Sequence, residues 1–284
     1  MQLSSLSLEA FYTCAQVKTT IEAARRLHLT QSAVSQRLKR LEDELQCSLF
    51  VRRRDGLTLT DAGHRLLRYC EQHRAMEMET LGSLRSGERE LAGLIRVAGF
   101  SSVLRSVIVP ALAPFLRANP KIECQFRSYE VVDLPKALEE SAADMIIMDS
   151  RLSKKGVVEH LLGKEEYVVV ESSRWKTSED FYLDHGPDDN ATESFFRKQK
   201  RVPPFYRRGF MGDVYGILDG VEQGLGRAVM SKHLVTKKHR VKILRGYEKY
   251  EREVVLHFFE QNYYPKIQNA IVHELRTGCS RLLR

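Results

Sequence analysis

Up to about residue 91 the apolar positions recur with a helical period, and beyond it short apolar runs alternate with helical segments. The stretch Thr20 to Lys39, TIEAARRLHLTQSAVSQRLK, describes two short helices joined by a tight turn. Ile21, Ala24 and Leu27 fall at helical spacing, Leu29 fills the turn, and Thr30 stands where a hydroxyl caps the following helix. That helix is expected from about Gln31 to about Leu45, with Val34, Leu38, Leu41 and Leu45 as its buried stripe. Gln31, Ser32, Ser35, Gln36 and Lys39 are then left facing outward, with Arg37 and Arg40 on the flanks.

Cys47 to Leu59 reads as a hairpin, with Asp55-Gly56 as its turn and Val51 and the leucines as strand residues. Thr60 then caps a long helix expected to reach about Leu91, with Asp61 complementing the helix dipole. Ala62, Leu66, Tyr69, His73, Met76, Thr80 and Leu84 follow one another at four- and three-residue spacings, close to a heptad seam. One helix cannot bury such a stripe alone. Gly82, Gly87 and Gly93 weaken its end, as a hinge would require.

From Leu94 the order is strand (Leu94 to Ala98), helix (Val103 to Leu116), strand (Ile122 to Arg127), helix (near Leu134 to Glu140) and strand (Met145 to Met148). This βαβαβ order implies a mostly parallel sheet covered by helices, with ligands beyond the carboxyl ends of the strands. A second lobe is expected to begin with a strand at Tyr167 to Glu171. A helix from Asp213 to Gln223 ended by Gly224, and a strand from Arg227 to Met230, would follow. Val254 to Phe259 and Tyr264 to Leu275 would return to the first lobe as a strand and closing helix.

The polar face of the Gln31 helix suits a DNA major groove. Gln pairs bidentately with adenine, Arg with guanine, and cationic side chains hold phosphates. A formal charge of +8 on 284 residues favours a polyanionic partner without specifying one. No stretch approaches the roughly twenty apolar residues of a membrane span, and the N-terminus lacks a signal-peptide pattern, so a cytoplasmic location is expected. Cys14, Cys47, Cys70, Cys124 and Cys279 are scattered without a C-x-x-C pair, which argues against a disulfide framework or structural zinc. Cys70 and His73 have a metal-compatible spacing with no second pair nearby, and packing is the better reading. No cofactor is expected. The chain has no G-x-S-x-G, H-E-x-x-H or Walker-type loop, and an enzyme is not expected.

The Thr20 to Lys39 segment, with Leu41-Glu42, Leu49-Phe50, Arg52-Arg53 and the run Leu59-Thr60-Asp61-Ala62-Gly63, closely resembles the winged helix-turn-helix of LysR-type transcriptional regulators. GLIRVAGF, VIVPALAPFLRANPKIECQF and the glycine-rich Glu222-Gln223-Gly224-Leu225-Gly226 resemble that family's effector domain. The resemblance implies an α/β protein with an N-terminal winged helix-turn-helix (1–59), a linker and dimerisation helix (60–91) and a two-lobed, periplasmic-binding-protein-like effector domain (92–284). Lobe I would hold about 92–165 and 243–284, and lobe II about 166–242. DNA contacts fall to Thr30, Gln31, Ser32, Ser35, Gln36, Arg37, Lys39 and Arg40, with Arg52 and Arg53 on the wing more than Arg54. Leu66, Tyr69, His73, Met76 and Leu84 would join subunits into a homodimer and then a tetramer. With no cysteine between Cys124 and Cys279, the cysteine-pair oxidant sensing of some family members has little support.

The effector site is expected at Gly99, Ser101 and Ser102 after the first strand, Arg127, Ser128 and Glu130 after the second, and Asp149 after the third. Gly209, Phe210 and Met211 would face them from a loop in lobe II. Phe181 to Arg208 is unusually charged, so the cleft is expected to be small or differently lined, with either a small polar or anionic effector or no effector at all. Partners are promoter DNA, an effector, a second copy of the chain and, as a further candidate, RNA polymerase. The competing reading is a DNA-binding architectural protein whose second domain only oligomerises.

Overall fold

The computed structural model describes residues 3–54, 56–86, 91–200 and 205–283, with the side chains of 82–86 outside that set. Two compact units result, one formed mainly by the chain up to Glu90 and one by most of the remainder.

In the first unit, α1 (Ser5–Val17), α2 (Thr20–Arg26) and α3 (Gln31–Leu45) precede a hairpin, β1 (Phe50–Arg53) and β2 (Gly56–Leu59), and α4 (Asp61–Ser86). Punctuation residues set the boundaries. Lys18 ends α1 in the left-handed region, the Thr19 hydroxyl accepts from the Glu22 N–H to start α2, and Thr30 accepts from the Ala33 N–H at 3.2 Å to start α3. Thr60 Oγ1 accepts from the Gly63 N–H at 3.0 Å, so α4 begins as expected. Phe11, Ala23, Ala24, Val34, Leu38, Leu41, Leu49, Leu66 and Leu67 form the core.

Four expectations change in this unit. Ile21 is 67% exposed, because in the seven-residue α2 the adjacent Ala23 and Ala24 occupy the inward positions. In the hairpin Arg53 pairs with Gly56, so Gly56 opens β2 rather than sitting in the turn, while Asp55 lies outside the described residues. Gly56 has φ +128°, and a Cβ there would lie 2.5 Å from the Lys18 carbonyl oxygen that accepts the Leu57 N–H. Leu66 is buried in the unit's own core, which removes it from an inter-subunit seam. Leu91 is not helical, and the expected stretch through Gly87 lies outside the described residues.

The second unit runs β3 (Gly93–Gly99), α5 (Ser101–Val103), a π-helical turn (Leu104–Ile108), α6 (Val109–Ala118), β4 (Ile122–Ser128), α7 (Leu134–Glu139) and β5 (Met145–Met148). It continues with β6 (Val157–Ser172), β7 (Phe181–Asp184), α8 (Ala191–Arg197), β8 (Arg207–Phe210), α9 (Val214–Glu222), β9 (Ala228–Ser231), β10 (Val241–Ile243), β11 (Tyr250–Phe259) and α10 (Lys266–Leu282). The sheet order is β10-β6-β11-β5-β3-β4, with β9 also on β6. As the βαβαβ pattern implies, β3 pairs in parallel with β4 and β5.

The long β6 and β11 pair antiparallel along their length and are shared by two lobes. In lobe I, α7 packs on one side of the sheet through Leu134 and Leu138, which cluster with Ile146 of β5. In lobe II, Val168, Val170, Ile217, Leu218 and Val221 gather on one side of the sheet and Tyr182, Phe195, Phe196 and Val229 on the other. Leu244, Tyr247 and Tyr250 join that second cluster, so the return to lobe I falls within β11 rather than at residue 243.

The helix Ser101–Ala118 is, by length and composition, apolar enough to cross a membrane, contrary to the sequence expectation. In the fold it buries Val103, Leu104, Val107, Ile108 and Leu112 and packs against α10. Its π-helical turn lies just before Pro110, where the missing N–H leaves the ladder one bond short.

Candidate nucleic-acid interface and interlobe cleft

On α3 the inward stripe is filled by Val34, Leu38 and Leu41, which fixes the opposite face outward. Gln31, Ser32, Gln36, Lys39 and Arg40 are exposed, while Ser35 and Arg37 are half-buried at its margins. Gln31 Nε2 donates to Thr20 Oγ1 and to Ser35 Oγ, each at 3.2 Å, and the Thr30 and Ser32 hydroxyls are 3.0 Å apart. Arg40 leans toward Glu44 at 3.0 Å, an exposed pair that contributes little. Glu42 Oε1 accepts the Leu49 N–H at 2.7 Å and so ties the hairpin to α3. Arg52, Arg53 and Arg54 are exposed on that hairpin. The unit therefore offers a polar helix face and a cationic loop, which can hydrogen-bond base edges and neutralise phosphates.

Along α4, Tyr69, His73 and Met76 are exposed, their stripe extended by Leu81, and the Tyr69 and His73 rings lie 6.1 Å apart. The side chain of Leu84 lies outside the described residues. Cys70 is buried while His73 is exposed, so the pair does not converge on a metal. Burial pushes the Cys14 thiol up to about 11 and those of Cys70, Cys124 and Cys279 up to about 12.

Between the lobes of the second unit, Gly99 ends β3 and Ser101 and Ser102 open the following helix, which Phe100 precedes without a side-chain cap. Ser102 is buried and its carbonyl accepts the Ser106 hydroxyl. Arg127 is exposed on β4 and donates to Gln125, which in turn donates to Glu123, so it belongs to a polar row on that strand's face. Ser128 is exposed at the strand end, and Glu130 beyond it faces His185 of lobe II at 3.5 Å. Asp149 is occupied by Arg252 at 3.1 Å, whose guanidinium also reaches Asn190 at 2.6 Å and lies over the Tyr167 and Tyr250 rings. Gly209 and Phe210 belong to β8 rather than to a loop, because β8 pairs in parallel with β7; Met211 follows it, half-exposed like Phe210.

Several residues that no motif flagged also span the lobes. Ser106 on the π-helical turn meets His233 Nδ1 at 2.7 Å, and His233 Nε2 meets Glu165 at 2.9 Å. Glu165, 1% exposed, also accepts from Ser231 Oγ at 2.7 Å and Tyr167 OH at 3.0 Å. Burial, followed by the Glu165 charge, raises the Tyr167 phenol far above its usual range. Arg105 stacks on the Tyr215 ring, 3.6 Å from its centroid. A carboxylate inside the apolar strand LLGKEEYVVV was the available sequence signal for this network. Elsewhere in lobe II, Arg208 pairs with buried Asp184 and with the Asp189 carbonyl, pinning the segment between β7 and α8.

A helix-turn-helix unit with a wing thus precedes an α/β domain whose long strands β6 and β11 run together through it. Residues 6–64 match the family model described as the bacterial regulatory helix-turn-helix protein, lysR family, and residues 88–279 match the LysR substrate binding domain. The chain belongs to the LysR family of transcriptional regulators. It is 38% identical over 98 residues to the regulator ArgP of Aeromonas salmonicida, a match covering 34% of this chain and 32% of that protein, about a third of its length. The crystal structure of ArgP from Mycobacterium tuberculosis superimposes with a TM-score of 0.82 at 23% identity, covering 100% of this chain and 99% of that one. Full-length LysG from Corynebacterium glutamicum, solved with bound effector Arg, gives 0.75 at 15% identity over 97% and 98% of the two chains.

Proposed function

We propose that this regulator binds promoter DNA sequence-specifically through α3 and the wing, and that a small molecule held between the lobes biases that binding. Thr30, Gln31, Ser32, Ser35, Gln36, Arg37, Lys39 and Arg40 form the reading and phosphate-holding surface, and Arg52 and Arg53 contact the backbone or minor groove. The observation carrying this reading is the exposed polar face of α3 beside three exposed arginines, with the apolar stripe of α3 turned into the unit's core. Residues 1–59 would act as the DNA-binding domain, 60–91 as the linker and 92–284 as the effector domain, in the cytoplasm. Tyr69, His73 and Met76 would pack against a second copy, presenting two reading helices to a pseudo-palindromic site. Dimers would pair into tetramers, and RNA polymerase would be a further candidate partner at the promoter.

The effector reading rests on the polar side chains that meet across the lobes at Glu130–His185 and Ser106–His233. A ligand placed beside Gly99, Ser101, Ser102, Ser128, Phe210 and Met211 can exchange contacts with them. It shifts the lobe arrangement by as much as its affinities for the two arrangements differ. Arginine, the effector bound by LysG, is the first probe.

Fragmented genomic DNA is incubated with the purified protein at moderate salt and with the Gln31→Ala, Ser35→Ala double variant, and the retained fragments are sequenced. The proposal predicts a pseudo-palindrome enriched by the parent protein and lost with the variant. Uniform recovery by both would favour the architectural reading.

A further inference from the structure

Gln31 is exposed, yet its amide nitrogen is already engaged: Nε2 donates to Thr20 Oγ1 on α2 and to Ser35 Oγ one turn along α3, both at 3.2 Å. A carboxamide has two N–H hydrogens, and these two half-buried hydroxyls take both. Oε1, which can only accept, has no hydrogen bond among the described residues. Free glutamine reads adenine with a donor to N7 and an acceptor from N6; this glutamine has lost the donor half of that pair.

We propose that Thr20 and Ser35 are positioning residues that set the base preference of Gln31. Held in this way, Gln31 accepts from an exocyclic amine in the major groove, either adenine N6 or cytosine N4, and discriminates both from guanine and thymine, which offer acceptors at the corresponding edge. Thr20, at the start of α2, therefore contributes to specificity from the helix that otherwise packs behind α3. The arrangement also orders the side chain before DNA arrives, so less rotamer freedom is lost on binding.

The inference rests on the proposal that α3 reads DNA, and the test separates the two. A site recovered by selection is synthesised with each of the four bases at every position. Competition affinities are measured for the full chain and for Gln31→Ala, Thr20→Val, Thr20→Ser, Ser35→Ala and the Thr20→Val, Ser35→Ala double variant. Gln31→Ala identifies the position it reads as the one made indifferent. If no position responds while binding to cognate DNA still exceeds binding to random DNA, α3 reads by other residues and this inference fails with it. If cognate and random DNA bind alike throughout, the DNA-reading proposal itself fails.

At the identified position the parent should accept adenine and cytosine within about threefold and disfavour guanine and thymine about tenfold. The double variant, its N–H groups freed, should move to adenine over cytosine by about tenfold, and Thr20→Ser should behave as the parent. A parent already selecting adenine over cytosine as strongly as the double variant, or preferring guanine or thymine, would overturn the assignment. So would a Thr20→Val, Ser35→Ala variant that lowers affinity for all four bases equally.

Discussion

Gly63→Ala tests whether the junction between wing and linker helix is as tight as its geometry says. In an open helical position the exchange stabilises by about 1 kcal/mol. Here a Cβ would lie 2.2 Å from the Leu49 carbonyl oxygen and 2.8 Å from Leu59 Cδ2. The carbonyl cannot swing aside freely, because it accepts the Thr60 N–H at 3.0 Å. Overpacking costs about 1–3 kcal/mol and loss of that hydrogen bond about 1 kcal/mol more. Against the propensity gain, the net expectation is a loss of about 2 kcal/mol. Trp175, the single tryptophan, lies in the second unit, so its fluorescence during urea unfolding follows that unit while far-ultraviolet dichroism follows both. The substitution should lower the midpoint seen by dichroism and leave the fluorescence transition in place. Gly186→Ala, with open space around the added methyl, should change neither. A Gly63→Ala chain as stable as the parent would refute the reasoning.

Glu165→Ala should lower the fluorescence-detected stability of the second unit by about 3 kcal/mol, because buried Ser231 and half-buried His233 and Tyr167 lose their common acceptor, at about 1 kcal/mol each. Glu165→Gln keeps an acceptor and should cost less than half as much; equal losses would show that the hydrogen bonds do not matter. Burial holds the His257 imidazole below its usual range, ahead of the opposing Glu159 carboxylate, so the unfolded chain binds that proton more readily. Stability should therefore fall as pH drops below about 6.5, by up to about 1.4 kcal/mol per unit for this group. His257→Leu should flatten that slope in a pH series of urea midpoints. His64 and His160, also lowered by burial, leave a residual slope. Arg53→Ala should weaken cognate and random DNA alike and reduce the slope of log K against log salt by about 1, read by fluorescence anisotropy; an unchanged slope would remove Arg53 from the phosphate contacts.

The chain's local punctuation made the first unit legible. Thr30 and Thr60 cap the helices they were expected to cap, and α3 spans Gln31–Leu45 as its apolar stripe required. Ile21 and Leu66 misled because periodicity gives a face and not what covers it: adjacent alanines took the core beside Ile21, and the unit's own core took Leu66. In lobe II, β7, α8 and β8 were missed because their short apolar stretches are interrupted by charges that pair with one another, as Asp184 does with Arg208. Cross-lobe partners such as Ser106 and His233 stand 127 residues apart, a separation that local pattern does not bridge. Asp149 was read as free for ligand because its partner, Arg252, arrives from a strand more than a hundred residues later.

The central claim is that the outward face of α3 reads base sequence, and the ratio of cognate to random DNA affinity at one fixed salt concentration tests it most directly. The account predicts that the Gln31→Ala, Ser35→Ala variant keeps its affinity for random DNA while the ratio falls by about tenfold or more. A ratio unchanged by the double substitution, or equal losses on both DNAs, would contradict it.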